Sequence, residues 1–482
     1  MTAAAGLRGS ATVARIHPRA RRRETGLLVL VAVILVLGSV SLGVTQRQLA
    51  GQPLAWLPAD AGQLAIYLGA LVAAHLTLVL AGRRSDQVLL PTIGLLGGIS
   101  LLLMERLPQS LVTQSLAGRN FGLASIQLGW LLLAIAVITA TAVMVRSDAW
   151  LRRYKYTWAA AGIVLLLLTF LFGNEVNGAL LTIQVGPFSG QPTELIKVIL
   201  VIFLAGYLSD FRPLLVSASM RLGPLRLPPV PYLLPMLAMW AMALGIVVIQ
   251  RDLGAALLFF AVFLALVYIA TARASYVVLG LLMFVAGSLI AYQLFGTVRD
   301  RVDIWVNPFI DASGKGYQVV QSLYAFARGG ILGTGLGAGL PLVAGRLPIP
   351  AIHTDFPLAA LGEELGLLGV VAILGLYLIV IERGLRVAAS AADDFRALLA
   401  AGLTLVVGVQ AFIIAAGNLK LIPLTGVTLP FISYGGSSLL ANGVVVGLLL
   451  ALSDRGVEAP PPPQAARSRR PAFLGGPARG AR

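Results

Sequence analysis

Residues 26–45, "GLLVLVAVILVLGSVSLGVT", run for twenty positions without a charge. An α-helix rises about 1.5 Å per residue, so about 20 apolar residues cross the hydrocarbon core of a bilayer. Eleven further stretches of this kind follow, at roughly 64–82, 88–104, 126–145, 157–173, 193–209, 233–249, 254–272, 275–295, 356–381, 396–416 and 437–453. They predict an all-α polytopic membrane protein with about twelve transmembrane helices. Composition agrees: of 482 residues, 58% are hydrophobic and 12% charged, and the mean hydropathy is +0.89. Soluble globular domains lie far from these values.

Lysine and arginine set the expected orientation. With both termini cytoplasmic, 25 of the 36 basic residues fall on the cytoplasmic side and 10 in outer loops, while Lys197 lies inside a span. The net charge of +16 is therefore a topology signal and an attraction to anionic membrane lipids at the inner face. It does not imply nucleic-acid binding. "RARRRE" before the first span is not followed by a small-residue cleavage site, so that span is expected to be retained. With no cysteine in the chain, disulfides, thiolate nucleophiles and Cys-bound metals are excluded.

Residues 1–25 form a basic cytoplasmic tail, and residues 456–482, with "APPPPQAARSRRPAF", a second one too rich in proline to bury a core. The large outer loop from about 296 to 355 separates the ninth and tenth spans. Within it "GYQVVQSLYAFARGG" spaces Val319, Leu323, Phe326 and Ala327 as one face of a helix expected on the outer membrane surface. "GGILGTGLGAGLP" imitates a dinucleotide fingerprint but follows no predicted strand. A hinge or a close-packed turn is the expected role.

Three stretches concentrate groups capable of chemistry. In "IPAIHTDFPLAALGEELG", residues 349–366, Asp355 precedes an apolar run with Pro357 in its first turn. That pattern suits a helix N-cap, and equally a carboxylate base at the membrane boundary. His353 and Thr354 stand beside it. Glu363 and Glu364 lie about 12 Å deeper along the helix, where carboxylates are either paired structurally or functional. "GNLKLIPLTGVTLPFISYGGSSLLANG", residues 417–443, carries Pro423, Pro430 and Gly435–Gly436, so it should be re-entrant or broken and line a cavity. Its Thr425, Thr428, Ser433, Ser437 and Ser438 suit a sugar or phosphate, with Lys420 as a cation. "NGALLTIQVGPFSGQPTELIKV", residues 177–198, places Glu194 and Lys197 one turn apart. Arg251 and Asp252 sit in a tight outer turn, and Arg299 and Arg301 follow in the large loop.

Together, "GPFSGQPTELIK", "QRDLG", "GYQVVQSL", "GTGLGAG", "HTDFPLAALGEELG" and "PLTGVTLPFISYGGSS" resemble, in order and spacing, the SEDS family (shape, elongation, division and sporulation). The resemblance covers residues 87–455, a ten-helix core. It leaves residues 26–86 as two additional N-terminal helices. It implies a peptidoglycan glycosyltransferase in the bacterial plasma membrane that polymerises lipid II on the outer face, beside a class B penicillin-binding protein. The family's essential aspartate maps onto Asp355, which would deprotonate the acceptor sugar's 4-hydroxyl for an inverting attack that expels a lipid diphosphate. Cations would stabilise that leaving group. No cofactor or protein-bound metal is implied, although a divalent cation could ride on the diphosphate.

The chain departs from the family in three places. Ala351 stands where a glutamate is common, Leu181–Thr182 replaces Arg-Trp, and Arg251 replaces a proline. Two other readings remain at this stage, a lipid II flippase and a non-catalytic activator of a penicillin-binding protein.

Overall fold

The computed structural model describes residues 20–53, 61–116, 119–176, 179–185, 188–217, 220–222, 225–227, 252–339 and 347–454, with positions 238 and 245 between them. Ten helices in this part are long and apolar enough to cross a membrane, and a shorter apolar one follows. The long ones are α1 (Arg22–Leu49), α2 (Ala61–Leu80), α3 (Leu89–Arg106), α4 (Leu123–Met144), α6 (Lys155–Phe172), α7 (Pro192–Ser217), α8 (Leu253–Thr271), α9 (Ala274–Leu294), α12 (Pro357–Ala389) and α13 (Asp394–Asn418). Three helices are not spans: α5 (Ala149–Arg153), α10 (Gly296–Val306) and α11 (Tyr317–Gly329); the short apolar helix is α14 (Gly436–Leu452). The span expected at 233–249 lies outside the described residues, as do both tails.

The chain is not wholly helical. Short antiparallel strands close three connections: β1 (Gln114–Leu116) with β2 (Arg119–Phe121); β3 (Asn174–Val176), β4 (Ala179–Val185) and β5 (Phe188–Gly190) in that order; and β6 (Met220–Leu222) with β7 (Leu225–Leu227). Loops just outside a membrane have polar backbone to satisfy, and tight hairpins satisfy it locally.

Helix α13 is central, packed against α7, α8 and α12, while α4 packs on α14 and α3 receives α1 and α2. Lipid tails are as apolar as leucine, so close backbone approach replaces hydrophobic burial as the source of helix association. Gly97 and Gly98 of α3 provide it: a Cβ there would collide with Tyr67 of α2 and Leu35 of α1. The opposite edge is looser. Helices α6 and α9 leave most of their side chains exposed to lipid.

At the end of the bundle where α1 begins and α14 ends, ion pairs tie distant segments. Arg21 pairs with Glu24 and donates to the carbonyls of Arg83, Ser85 and Asp86; Glu24 also meets His75 Nδ1 at 2.6 Å. Arg83 pairs with Asp454 at 2.9 Å, and Arg383 with Asp86 at 3.0 Å.

The loop between α9 and α12 is built rather than slack. The buried side of α11, with Val319, Val320, Ser322, Ala325 and Gly329, packs on α12, whereas Ala327 is exposed. The expected helix is present, and its buried side packs as a strut against α12. The glycine run after it is a close-packed turn. Helix α12 breaks at Gly366 (φ 66°, ψ −168°), and the loop fills the break: Thr334 N and Gly335 N donate to the carbonyls of Glu363 and Glu364, while Leu367 N and Leu368 N donate to those of Gly330 and Ile331. Non-helical backbone at membrane depth is tolerated where protein satisfies it in this way.

Candidate active site

Between α13 and α14 the chain runs without regular structure from 419 to 435, as Pro423, Pro430 and the Gly435–Gly436 pair require. Its polar backbone is satisfied by side chains from three helices. Tyr377 OH of α12 donates to Pro430 O, and Ser100 Oγ of α3 donates to Ile432 O at 2.7 Å, itself receiving a bond from Gln127 of α4 at 2.8 Å. None of these three residues stood out in the sequence. Their signal was available as isolated polar groups inside apolar spans.

Against this segment lies the turn at 350–355. The backbone N–H groups of Thr354, Asp355 and Phe356 all converge on Ala351 O, at 3.2, 2.9 and 3.3 Å. The N-cap of α12 is Phe356, with no side-chain cap, so the expected capping role of Asp355 is not found. Pro357 explains the offset: it occupies the first helical position and pushes the residue before it out of helical geometry. The aspartate is left one residue outside the helix.

The last three carbonyls of this turn are each held by a neighbour. His353 O accepts from Tyr434 N at 2.8 Å, Thr354 O from Ser433 Oγ at 2.6 Å, and Asp355 O from Asn418 Nδ2 at 2.8 Å. Ser433 Oγ also accepts from Leu429 N. The backbone of Asp355 is thus fixed while its half-buried carboxylate forms no hydrogen bond among the described residues. Burial pushes that carboxyl up to about 6, against the pull of Arg301. His353 packs beside Tyr434, its Nδ1 is buried without a partner, and burial lowers its basicity.

Arg301, on α10, donates to Thr425 O at 3.1 Å and stands between two carboxylates, Asp252 and Asp355. Asp252 caps α8, accepting from Ala255 N at 3.0 Å; burial raises it, Arg301 opposes, and nearby Glu194 adds to the rise. Thr425 Oγ1 is buried and unpartnered beside them. Asp252, Arg301, Asp355 and Thr425 come from four separate stretches of sequence, and the fold brings them together.

Glu194 and Lys197 pair as their spacing predicts, and Lys197 Nζ also donates to Gln410 Oε1 at 2.8 Å and Asn442 Oδ1 at 3.2 Å. An ammonium has three donors, so all are engaged inside the chain. Gln410 continues to Thr428 O at 2.9 Å, Thr428 Oγ1 to Ser438 at 2.7 Å, and Asn442 back to Ser438 at 3.2 Å. Ser437 accepts from Gln191 N at 3.0 Å. This polar ring closes the base of the broken segment.

Other expected cations fall elsewhere. Arg299 is exposed, reaches Gln293 O at 3.1 Å and lies over the Tyr292 ring; Lys420 extends toward Val306 O at 3.4 Å. Arg299 turns away because α10 presents only one side to the bundle, where Arg301 lies, while Lys420, in the segment after α13, reaches the end of α10 instead. Arg251 lies outside the described residues. Glu363 and Glu364 are structural pairs, with Arg328 at 3.1 Å and with Arg106.

An apolar cavity of about 330 Å³ runs between α8 and α9 and ends at Arg301 and Thr425. Leu257, Phe260, Phe284 and Val298 are among its walls. The apolar cavity therefore ends at a guanidinium that interacts with two carboxylates, Asp252 and Asp355.

Comparison with known proteins places this geometry. The FtsW/RodA/SpoVE family profile, described as cell cycle protein, matches residues 87–456. Peptidoglycan glycosyltransferase RodA of Mycobacterium tuberculosis (strain ATCC 25618 / H37Rv) is 42% identical over 446 residues, covering 92% of this chain and 93% of that protein. A probable peptidoglycan glycosyltransferase FtsW of Geobacter metallireducens is 36% identical over 309 residues, 63% of this chain and 78% of the other. A solved peptidoglycan synthase complex, studied for its coordination of polymerization and crosslinking, contains a chain that superposes with a TM-score of 0.59 at 26% identity, covering 77% of this chain and 98% of that one.

Proposed function

This chain belongs to the FtsW/RodA/SpoVE family, and from that premise we propose that it is a peptidoglycan glycosyltransferase that polymerises lipid II at the outer face of the bacterial plasma membrane. The observation that carries the mechanism is the state of Asp355: backbone fixed by three neighbours, carboxylate unbonded, and its proton affinity raised by burial to about 6. A base with a pKa just below working pH is deprotonated yet still basic enough to take a proton.

In this reading Asp355 accepts the proton of the acceptor's 4-hydroxyl as that oxygen attacks the anomeric carbon of the second lipid-linked sugar. The bond to the diphosphate breaks on the opposite side, and configuration inverts. No carboxylic acid is needed to protonate the leaving group, because a diphosphate departs as a stable anion. That fits Ala351 as well as the pairing of Glu363 and Glu364, which leaves Asp355 to handle the proton. Arg301 is the guanidinium placed to meet charge developing on the diphosphate, and the cavity beyond it suits a polyprenyl chain.

Around Asp355 the described carboxylates outnumber the cations: Asp252, Asp355 and Glu194 face Arg301 and the fully engaged Lys197. A divalent cation brought in on the diphosphate would redress that balance. The high identity to RodA over nearly the whole chain favours a role in elongation and shape, since the FtsW similarity covers less of it. A class B penicillin-binding protein would crosslink the strands, and both termini would be cytoplasmic.

The test is polymerisation of labelled lipid II by purified full-length protein with its penicillin-binding partner. Wild type should make glycan strands, and Asp355→Asn should make none. Undiminished strands from Asp355→Asn would end the general-base reading. Transbilayer movement of lipid II without polymerisation by wild type would favour the flippase.

A further inference from the structure

At the end of α12 and α13 away from Asp355 lies a second, larger cavity of about 830 Å³. It opens between the corner at 147–155, Asp210 of α7 and the α12–α13 turn at 392–396. Four basic side chains line it, Arg152, Arg153, Lys155 and Arg396, against three carboxylates. Those carboxylates are already engaged. Asp210 is shared by Arg152 (3.0 Å) and Lys155; Asp148 takes both Nε (2.9 Å) and Nη2 (2.8 Å) of Arg396; and Asp393 caps α13 by accepting from Arg396 N. Arg153 has no ion pair among the described residues, and its guanidinium lies over the neighbouring Tyr154 ring.

The helix geometry adds to the imbalance. The long helices α6 and α13 both begin at this cavity, at Lys155 and Asp394, and a helix start carries partial positive charge. The surroundings indicate depth. Trp150, Tyr154 and Tyr156 are exposed beside it, the residue types that mark the headgroup layer. The volume far exceeds what a lone ion fills and falls within the range of ligand pockets, about 300–1,000 Å³.

We propose that this cavity binds a phosphate group carried on a larger molecule, with Arg152 and Arg153 as its principal cations. Arginine forks match phosphate oxygens bidentately. On the orientation given above, the site faces the inner leaflet, where anionic phospholipids are abundant. The same chemistry would also take a phosphate from solution.

Binding of a fluorescent short-chain phosphatidic acid to the full-length protein in neutral detergent micelles tests this. Wild type should saturate. The double variant Arg152→Gln/Arg153→Gln should bind at least tenfold more weakly, and Arg152→Lys/Arg153→Lys should recover only part of the affinity, because lysine keeps the charge and loses the fork. Arg386→Gln, an exposed arginine of α12 outside the cavity, should change affinity less than twofold. Inorganic phosphate that displaces the probe at similar concentration assigns the site to solution phosphate; failure to displace it assigns the site to lipid. Wild-type affinity in the glutamine double variant overturns the proposal, and so does an equal loss in Arg386→Gln, which would mean diffuse charge. Micelles have no sides, so a negative result leaves membrane orientation and lipid II polymerisation to their own assays.

Discussion

Eighteen consecutive residues, 349–366, contain two acidic regions with opposite fates. Glu363 and Glu364 are buried within α12, paired to Arg328 and Arg106, and embraced by the glycine loop at the Gly366 break. Asp355, less than three turns away, is half-buried with its carboxylate unbonded. What separates them is which part of the residue the protein holds. For the glutamates it engages the charge, and for the aspartate it fixes the backbone and leaves the charge free. The glutamates are neutralised by partners, whereas Asp355, the base in the proposed mechanism, is positioned through its main chain.

The sharpest break of that contrast is a pair of amide substitutions. Asp355→Asn should lower polymerisation by about 100- to 10,000-fold, the range that general acid–base catalysis supplies, while raising the melting temperature slightly, because an amide does not carry the cost of a buried charge. Glu364→Gln should do the reverse. It leaves Arg106 without its anion and should destabilise the fold by about 2–4 kcal/mol, read as a drop in melting temperature in detergent, with residual activity per folded molecule preserved. Equal loss of activity in the two variants would erase the distinction.

Gly366→Ala tests the glutamate side without touching a charge. A Cβ at φ 66°, ψ −168° is strained, and it would also run into the Gly333 N and Ile331 O that fill the break. Destabilisation of more than ~2 kcal/mol is expected, measured by thermal unfolding.

On the aspartate side, the pH profile is informative. A base whose pKa is about 6 gains its active, deprotonated form as pH rises through that value, so polymerisation should fall on the acid side of it. Arg301 holds the pKa down, so Arg301→Gln should move the acid limb to higher pH and also lower the maximal rate. A limb that stays in place would show that Arg301 acts on the leaving group alone. The smallest effect is expected from Asn418→Leu, which removes the bond to Asp355 O and should cost about 1–2 kcal/mol in kcat/KM, with little change in the pH profile. An unchanged rate would show that two anchors are enough.

Local signals made much of this molecule readable. The membrane helices follow from apolar run length, and the broken segment follows from its prolines and glycines. The Glu194–Lys197 pair follows from helical spacing. What escaped depends on partners remote in sequence. Ser100, Gln127 and Tyr377 matter because they face carbonyls at 430–433, which no window on their own helices reveals. Asp355 looked like a cap because the motif is local, while the proline beside it moved the cap by one residue. Arg301 and Arg299 are two positions apart and were equivalent in sequence. Only the side of α10 turned to the bundle separates them.

The Arg83–Asp454 pair joins a turn before α3 to the residue two places beyond α14. During synthesis the arginine emerges 371 residues ahead of its carboxylate. Until Asp454 arrives, the buried Arg83 lacks the carboxylate that it meets in the folded bundle, so this end is completed only after α14 is made. A chain ending short of residue 454 should therefore leave Arg83 without its carboxylate and be destabilised at this end of the bundle.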